Sequence, residues 1–373
     1  FTSPNLNSIC ERIRIDGDCI DEQSFCRLLS RIRGYVEKSR REAETSVTYF
    51  EILTALALKH FARRDVDWAV VEVGLGGRLD STNLVESRVC IVTPIGFDHM
   101  DKLGHTPAAI ATEKAGIFKP GVPAIIGTQN YREAGRVLRD RADELSCPRW
   151  EVGRDILVQA PRPAAADSNP EGAAWQLGMK TPGRNYPDLR CSLLGQHQVH
   201  NAAAAVGALE MLRVRGEIAI EADAVKEGLA SCRCPARVEV LTEAPLFVLD
   251  AAHTTESIRA LLEAIRAHFP GRSLRVVYGT HRDKDYAGIL DLLLPECTEM
   301  ITTSSLHPRA MGAEELAEEA RSRGASSVRP ITPASEAVRR CLSTVTDKEM
   351  VVVTGSFYVA GQVREAWQNG RLL

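Results

Sequence analysis

Apolar, β-branched runs alternate with stretches of helical spacing over most of the chain. The runs at residues 68–73, 89–94 and 122–127 predict strands, and the stretches at 49–63 and 106–115 predict helices between them. This alternation is typical of β-α-β units, in which helices cover a largely parallel sheet. The chain is therefore predicted to be an α/β protein.

Two segments differ in how clearly their residues predict secondary structure. The helix at 106–115 has Thr106 at its N-cap position, Pro107 in its first turn and Gly116 after its last turn. By contrast, residues 160–187 are rich in Pro, Ala, Gly and Asn and show no sustained period. We expect a hairpin with a loose loop there, outside the core and without a functional role.

A second strand-helix alternation begins after a helix at 201–213 and a proline-containing connector at 232–239. Its predicted strands lie at residues 246–250, 274–280, 299–303 and 350–355. A chain of 373 residues also exceeds the size at which a single hydrophobic core keeps growing. We therefore predict two domains, residues 1–234 and a smaller α/β domain at 235–373.

Composition and charge narrow the function. The chain is 44% hydrophobic and 25% charged, with a formal net charge of -3, so it has no broad positive field to hold nucleic acid or an anionic membrane. No apolar run approaches the roughly 20 residues of a membrane span, and no signal-peptide pattern is present. Ten scattered cysteines are read as reduced thiols rather than a metal or disulfide framework. These features predict a soluble, unexported, cytoplasmic protein with small-molecule partners.

A carboxylate stands inside an apolar run that leads into a glycine turn, in the segment V-V-E-V-G-L-G-G-R-L-D-S-T-N at 70–83. If the run is a doubly buried strand, Glu72 needs a cation, a metal or hydrogen-bond donors beside it. The glycines allow a tight turn at the strand's carboxyl end, where parallel sheets bind ligands. The spacing is not G-x-G-x-x-G, so a dinucleotide site is disfavoured, and a structural salt bridge beside a glycine turn remains the alternative.

Two further side chains are expected near Glu72. His99 follows the predicted strand at 89–94, so it should lie at the same sheet edge, where a carboxylate, an imidazole and a hydroxyl would make a sparse, water-completed Mg²⁺ site. Lys114 shares a helix face with Ile110 and Ile117. A desolvated, neutral lysine can react with carbon dioxide to form a carbamate. The alternatives are a capping or core histidine and a snorkelling lysine.

Many motifs in the same order resemble the signature of the folylpolyglutamate synthase/dihydrofolate synthase family, which belongs to the Mur-ligase-like amide ligases. They are F-T-S-P at 1–4, E-R-I-R-I-D-G at 11–17, T-Y-F-E at 48–51, V-E-V-G-L-G-G-R-L-D-S-T-N at 71–83, G-F-D-H-M-D-K-L-G at 96–104, I-A-T-E-K-A-G-I-F-K-P-G-V-P at 110–123, L-L-G-Q-H-Q-V-H-N at 193–201, D-A-A-H-T at 250–254, D-K-D at 283–285, P-R-A at 308–310 and V-T-G-S-F-Y at 353–358.

The resemblance implies a fold. It implies a Mur-ligase-like α/β protein with a P-loop-type ATPase sheet domain that also binds Mg²⁺ and the pterin. A smaller Rossmann-like C-terminal domain, the glutamate-ligase domain, follows it.

The resemblance also implies roles for individual residues. The metal ligands would be Ser3, Glu72 and His99, the catalytic residues Glu72, His99 and a carbamylated Lys114, and the ATP-binding residues Asn201, Arg237 and Asp250. The pterin site would be lined by Thr48, Tyr49, Phe50, Glu51, Leu79, Asp80 and Ser81. Each ATP-binding residue also has an ordinary interpretation, as a helix-surface amide, a solvated charge and a strand-end cap. Thr48 could simply be an N-cap. The roles of His253 and of the run at 283–285 are left open.

The sequence departs from the family pattern at several positions. Asn5 stands where the family has His, Ala236 replaces the glycine of P-G-R, and D-G-A-H-N is D-A-A-H-T here. No G-x-x-x-x-G-K-[ST] motif occurs in these 373 residues, whereas the family carries a G-T-x-G-K-G-S phosphate loop shortly before F-T-S-P. We therefore expect the ATPase domain to lack its first strand and phosphate loop, and the chain alone to have little or no activity.

The implied reaction joins L-glutamate to dihydropteroate or a reduced folate. ATP and Mg²⁺ would activate the acceptor carboxylate as an acyl phosphate, and domain closure would bring Arg237 and Asp250 onto ATP and exclude water. We expect a monomer that binds neither nucleic acid nor membrane. The alternatives are a Mur-type peptidoglycan ligase, which should lack the R-L-D-S-T-N and E-K-A-G-I-F motifs, and a non-catalytic remnant that retains the pterin-binding surface.

Overall fold

The computed structural model describes residues 1–42, 46–163 and 175–372, which form two compact units. The first unit comprises Phe1–Arg88, His99–Val122 and Tyr131–Cys147, and the second comprises Val89–Asp98, Pro123–Asn130 and Pro148–Leu373. Within the described residues, no helix is both long and apolar enough to cross a membrane.

The first unit is mainly helical. Outside residues 43–45, which are not described, it contains a small hairpin, five α-helices and two 3-10 helices: β1 (Arg14–Ile15), β2 (Asp18–Cys19), α1 (Glu22–Glu42), α2 (Tyr49–Arg64), α3 (Met100–Leu103), α4 (Pro107–Ala115), α5 (Arg132–Glu144), and the 3-10 helices Ile9–Arg12 and Ser81–Leu84. Its core includes Ile13, Leu53 and Leu56. The predicted helices at 49–63 and 106–115 are confirmed as α2 and α4, and Thr106 caps α4 by accepting from the Ala109 N–H at 3.1 Å.

Residues 68–73 do not form the predicted strand. They run beside Phe1, whose N–H donates to the Val70 carbonyl at 2.8 Å, while the Glu72 N–H donates to the Phe1 carbonyl at 2.9 Å. These two bonds stand in place of a continuous ladder. Val70 is 85% exposed and Glu72 is exposed too. The predicted strand, buried on both faces with a buried carboxylate, is therefore wrong.

The second unit contains three sheets and seven helices among its described residues. The strands are β3 (Cys90–Val92), β4 (Ala124–Ile126), β5 (Arg149–Glu151), β6 (Leu157–Pro163), β7 (Trp175–Lys180), β8 (Asn185–Cys191), β9 (Glu239–Glu243), β10 (Leu246–Leu249), β11 (Ser273–Tyr278), β12 (Cys297–Thr302), β13 (Val328–Pro330) and β14 (Glu349–Thr354). The helices are α6 (Gln196–Val214), α7 (Ala222–Ser231), α8 (Thr255–His268), α9 (Tyr286–Leu293), α10 (Ala313–Ser322), α11 (Ala334–Leu342) and α12 (Phe357–Gln368).

Strands β3, β4 and β5 form a parallel sheet in that order. The strands predicted at 89–94 and 122–127 are thereby confirmed in shortened form as β3 and β4. Helix α6, which confirms the helix predicted at 201–213, packs against both strands. Because β3 ends at Val92, the segment up to Asp98 leaves the sheet at its carboxyl edge.

The described parts of the segment 160–187, residues 160–163 and 175–187, contribute to an antiparallel sheet, β6-β7-β8, rather than to a loose hairpin. The expectation that this region lies outside the core is wrong, since Trp175, Leu177 and Met179 of β7 are buried in a cluster shared with α6. Glycine and proline obscured the strands in the sequence, but alternate positions of β7 still carry large apolar side chains. The centre of the expected loop, residues 164–174, lies outside the described residues.

The largest sheet has the order β13-β12-β11-β14-β10-β9. All neighbouring pairs are parallel except β9 and β10. The four strands predicted after residue 240 are confirmed as β10, β11, β12 and β14. The edge strand β9 and the short β13 escaped prediction because their side chains are only partly buried and lack a long apolar run.

The division predicted at residue 235 differs from the division into compact units, which places residues on both sides of 235 in the second unit. No strand pairing in the described residues joins the sheets before residue 235 to the six-stranded sheet after it. The domain boundary stays a prediction.

Candidate active site

The glycine turn at 74–77 is held by Asp80. Its Oδ2 accepts the N–H groups of Gly74 and Leu75 at 3.1 and 2.9 Å, and its Oδ1 accepts that of Thr82 at 2.9 Å. A Cβ on Gly74 would lie 2.4 Å from the Phe50 ring. Only glycine fits this approach of backbone to ring. Asp80 and Phe50, both expected in a pterin site, therefore shape the turn.

The same turn packs on the carboxyl end of α4. The Arg78 N–H donates to the Glu113 carbonyl at 2.9 Å, and the two side chains form an ion pair at 2.9 Å. A Cβ on Gly116 would lie 2.5 Å from the Arg78 Cα. Lys114 is half-buried on the helix face that also carries buried Ile110. The backbone at Lys114 is thus held beside the glycine turn by the packing of Glu113 and Gly116.

The predicted metal ligands all lie in the first unit. The Ser3 N–H donates to Glu72 Oε2 at 2.7 Å, which brings the F-T-S-P segment to this carboxylate. His99 is exposed and takes a left-handed conformation, with φ 52°, at the start of α3. The described residues contain no group of three or more His, Cys, Asp or Glu that could hold a metal ion, but the predicted set has only two such residues. Convergence of Ser3, Glu72, His99 and Lys114 stays a prediction.

The other residues expected in the pterin site also lie in the first unit. Thr48 and Glu51 form a capping box for α2, with Glu51 Oε2 accepting the Thr48 N–H at 2.6 Å. Tyr49 lies against the Arg12 guanidinium at 5.6 Å. Ser81 is hydrogen-bonded to Thr54 at 2.8 Å. Leu79 is 81% exposed. The N-cap interpretation of Thr48 is confirmed, and pterin contact stays a prediction.

In the second unit, Asp250 stands at the carboxyl end of β10 and is 5% exposed. Its carboxyl accepts the Val238 and Ala252 N–H groups, each at 2.7 Å. Burial raises its pKa to about 6, although those two donors and the charge of Arg237 oppose the shift. Asp250 therefore caps the end of β10 and ties the connector to it, and its role in ATP binding stays a prediction.

Arg237 and His253 both contact Phe357, the first residue of α12. The Arg237 guanidinium lies 5.1 Å from the ring centre, and the His253 ring lies 5.6 Å away. His253 Nδ1 is 2.9 Å from the Ala251 carbonyl. A carbonyl can only accept, so Nδ1 carries the hydrogen and Nε2 is the acceptor of the neutral imidazole. Burial lowers the pKa of His253, which favours that neutral form.

Lys284 and Asp98 form an ion pair at 3.2 Å, and both charges lie within electrostatic range of His253. Lys284 lies on the loop after β11 and Asp98 on the segment after β3, so two sheets contribute one charge each. The Lys284 side chain is 19% exposed. An opposed, partly buried charge pair can exchange with a zwitterionic ligand, whose ammonium and carboxylate would take the partners' places.

Asn201 and His197 lie in the first two turns of α6. The Asn201 amide donates to Gln198 Oε1 at 3.1 Å, so it is held by a neighbour on its own helix. Burial lowers the pKa of His197, and the charge of Arg237 lowers it further. Arg237 therefore lies within electrostatic range of the start of α6 as well as of Asp250.

Sequence reasoning assigned Asp250 and Arg237 to ATP binding, which stays a prediction, and it gave no role to Asp98, Lys284 or Phe357. Asp98 carried a usable signal, because it is a carboxylate just beyond the carboxyl end of a predicted strand. No local sequence signal indicated that Asp98 pairs with Lys284, since the two residues are separated by 186 positions.

Comparison with known proteins identifies the family of this chain. The model of the Mur ligase middle domain matches residues 26–209, and that of the Mur ligase, glutamate ligase domain matches residues 236–357. The dihydrofolate synthase/folylpolyglutamate synthase of Bacillus subtilis is 33% identical over 98% of this chain and 83% of its own length. This chain belongs to the folylpolyglutamate synthase/dihydrofolate synthase family. The resemblance of its motifs to that family is thereby confirmed, and it is an acid–amino-acid ligase of the Mur ligase family.

Solved members of the family share the fold. The Mycobacterium tuberculosis folylpolyglutamate synthase complexed with ADP and AMPPCP matches with a TM-score of 0.88 and 34% identity, over 98% of this chain and 84% of that one. E. coli FolC in complex with DHPP and ADP matches at 0.83 and 29%, over 100% and 82%. The Yersinia pestis bifunctional enzyme complexed with AMPPNP and Mn ion matches at 0.81 and 30%, over 99% and 81%. The α/β Mur-ligase-like fold is confirmed.

Proposed function

We propose that this chain carries the machinery of an ATP-dependent ligase that joins L-glutamate to dihydropteroate, to a reduced folate or to both. The observation that carries the proposal is the Asp98–Lys284 ion pair within electrostatic range of His253, whose pKa is lowered by burial, in a chain of this family. An α-amino acid presents one ammonium and at least one carboxylate, which complement this pair. Small-molecule ligands in the solved relatives, DHPP and adenine nucleotides, support the substrate class.

The amino acid would be held by charge exchange. Lys284 would bind a carboxylate of glutamate, and Asp98 would bind its ammonium, in place of their present bond to each other. His253 Nε2 would then accept a proton from that ammonium, because Nδ1 is committed to the Ala251 carbonyl. Loss of this proton leaves the neutral amine that an amide-forming attack requires.

The nucleotide would be bound by Arg237, Asp250 and Asn201. Arg237, supported on the Phe357 ring, offers a guanidinium to phosphate oxygens. Asp250 offers a carboxyl fixed by two backbone donors, and Asn201 offers an amide at the start of α6. These three residues differ from one another in charge and in hydrogen-bonding capacity. The phosphates, the ribose and the base of ATP differ in the same two properties.

The activation step would transfer the γ-phosphoryl group of ATP to the acceptor carboxylate, with loss of ADP. The glutamate amine would then attack the acyl carbon and phosphate would leave, carrying one oxygen of the original carboxylate. Glu72, His99 and the Ser3 hydroxyl would together offer oxygen and nitrogen donors to a Mg²⁺ ion completed by water. When bound, that ion would neutralise phosphate charge. The proposal also includes a carbamate on Lys114. It further includes a pterin site lined by the residues of the first unit that were expected there.

The test is an assay of glutamate-dependent ADP release with ATP, Mg²⁺ and each acceptor. It compares the 373-residue chain with a version extended upstream of Phe1 by a G-T-x-G-K-G-S loop of the family type. We expect turnover by the extended version and little by the chain alone, since backbone N–H groups and the lysine of such a loop hold phosphates. Inactivity of both with every acceptor would favour the non-catalytic remnant. Turnover with a peptidoglycan precursor and with neither pterin would favour the Mur-type alternative.

A further inference from the structure

A groove of about 440 Å³ lies in the second unit, along the connector at 232–239. Its lining is formed by the segment from Arg190 to Leu194, by the connector, and by Arg364 of α12. Four arginines line it, together with one carboxylate: Arg190, Arg233, Arg237, Arg364 and Glu239. We call it the arginine groove.

The carboxylate in the arginine groove is already engaged. Both Glu239 oxygens accept from Arg364 Nε at 3.1 Å, and Oε2 also accepts the Ala236 N–H at 2.8 Å. Four guanidinium groups against one carboxylate leave a formal charge of +3 on the described lining, whereas the whole chain carries -3. Positive charge is therefore concentrated in this groove against the trend of the molecule.

The cations are spread along the groove instead of meeting at a point. Phe357 and Arg364 are seven residues apart on α12, so they share a face about 10 Å apart along the helix. Arg237 lies over the Phe357 ring, whereas Arg364 is two turns further along α12 and pairs with Glu239. An extended ligand with several charges matches this spacing better than a single compact ion.

The connector is also built in a costly conformation. Ala236 and Val238, on either side of Arg237, have φ of 55° and 49°, which L side chains rarely adopt. Such strain persists where surrounding contacts over-determine the backbone, and it concentrates at ligand-binding segments. Here the contacts are the bonds from Ala236 to Glu239 and from Val238 to Asp250.

We propose that the arginine groove binds a multivalent anion, with the carboxylates of a short oligo-γ-glutamate or a chain of phosphoryl groups as the source of charge. Guanidinium forks bind both groups in pairs of hydrogen bonds. The oligoglutamate source rests on the proposed function, because each added γ-linked glutamate brings one free carboxylate. Affinity should rise with the number of charges and fall with added salt.

Direct binding tests this without turnover. Tri-γ-glutamate and pyrophosphate are titrated separately into the 373-residue chain by calorimetry, in the absence and presence of saturating AMPPNP. We expect binding that persists with AMPPNP and weakens about tenfold in Arg190→Gln and in Arg364→Gln. Arg136→Gln is the matched control, since Arg136 is an 80% exposed arginine of α5 in the first unit.

The outcomes distinguish carboxylates from phosphoryl groups as the ligand, and they distinguish failure of this inference from failure of the proposed function. Binding of tri-γ-glutamate assigns carboxylates, and binding of pyrophosphate alone assigns phosphoryl groups. Equal affinity in all three variants, displacement by AMPPNP, or no binding of either anion overturns the inference. Loss of the Arg364–Glu239 ion pair can destabilise Arg364→Gln. Arg190 is exposed, so Arg190→Gln should melt at the wild-type temperature and keeps the test valid. A chain that binds anions yet never turns over removes only the proposed function.

Discussion

Ala236 adopts a backbone conformation that favours glycine, with φ of 55°, and it stands where the family pattern has glycine. An alanine there pays a steric cost that glycine avoids. We expect Ala236→Gly to raise the free energy of unfolding by about 0.5–1 kcal/mol in chemical denaturation. The matched control is Ala62→Gly in α2, which should lower stability by about 1 kcal/mol. Equal destabilisation by both changes would contradict the account of the connector.

Asp250 makes a pH-dependent contribution to stability. Its pKa is raised from 3.8 to about 6 in the folded protein, so the folded state binds the proton more tightly than the unfolded state. This contribution is fully present below about pH 4 and is lost as the pH rises to 6, by up to about 3 kcal/mol. The unfolding free energy of the wild type minus that of Asp250→Asn should therefore fall between pH 4 and 6. A constant difference across that range would count against a buried, proton-retaining Asp250.

At the scale of elements, the glycine turn and the end of α4 form one packed unit. A Cβ on Gly116 would come within 3 Å of the Arg78 N and Cα atoms, and backbone cannot yield as a flexible side chain can. We expect Gly116→Ala to lower the unfolding free energy by about 2–3 kcal/mol. Gly34 in α1 is the control, because a Cβ there meets nothing within 4 Å and alanine should add about 1 kcal/mol. Similar effects of the two changes would contradict the packing described.

Sequence patterns predicted the elements whose signals are local. Helix α4 was found from its cap and its closing glycine, and β10, β11, β12 and β14 were found from apolar runs that are buried in the sheet. The strand predicted at 68–73 failed because apolar composition does not specify a pairing partner. In the structure, the backbone of this run is joined to Phe1 by two hydrogen bonds. Likewise, Asp250 could be placed at a strand end, but its meeting with Val238 depends on tertiary structure.

At the scale of the whole molecule, the ion pair between Asp98 and Lys284 should govern affinity for the amino acid. Lys284→Met in an active, upstream-extended chain should raise the KM for glutamate tenfold or more, with a smaller change in kcat, because a charge partner of the substrate is lost. Lys226→Met is the control, since Lys226 forms a surface pair with Asp223 on α7 and should leave both constants unchanged. An unchanged KM in Lys284→Met would remove Lys284 from the glutamate site.

The central claim is that a carboxylate is activated by phosphoryl transfer and then captured by glutamate. The extended chain is incubated with ATP, Mg²⁺, L-glutamate and dihydropteroate that carries ¹⁸O at both carboxylate oxygens. The masses of the products are then measured by mass spectrometry. We predict an acceptor heavier by one glutamyl residue that retains one ¹⁸O, with the other ¹⁸O in the released phosphate. A glutamylated product that retains both labelled oxygens, or ATP cleavage with no label in phosphate, would contradict the account.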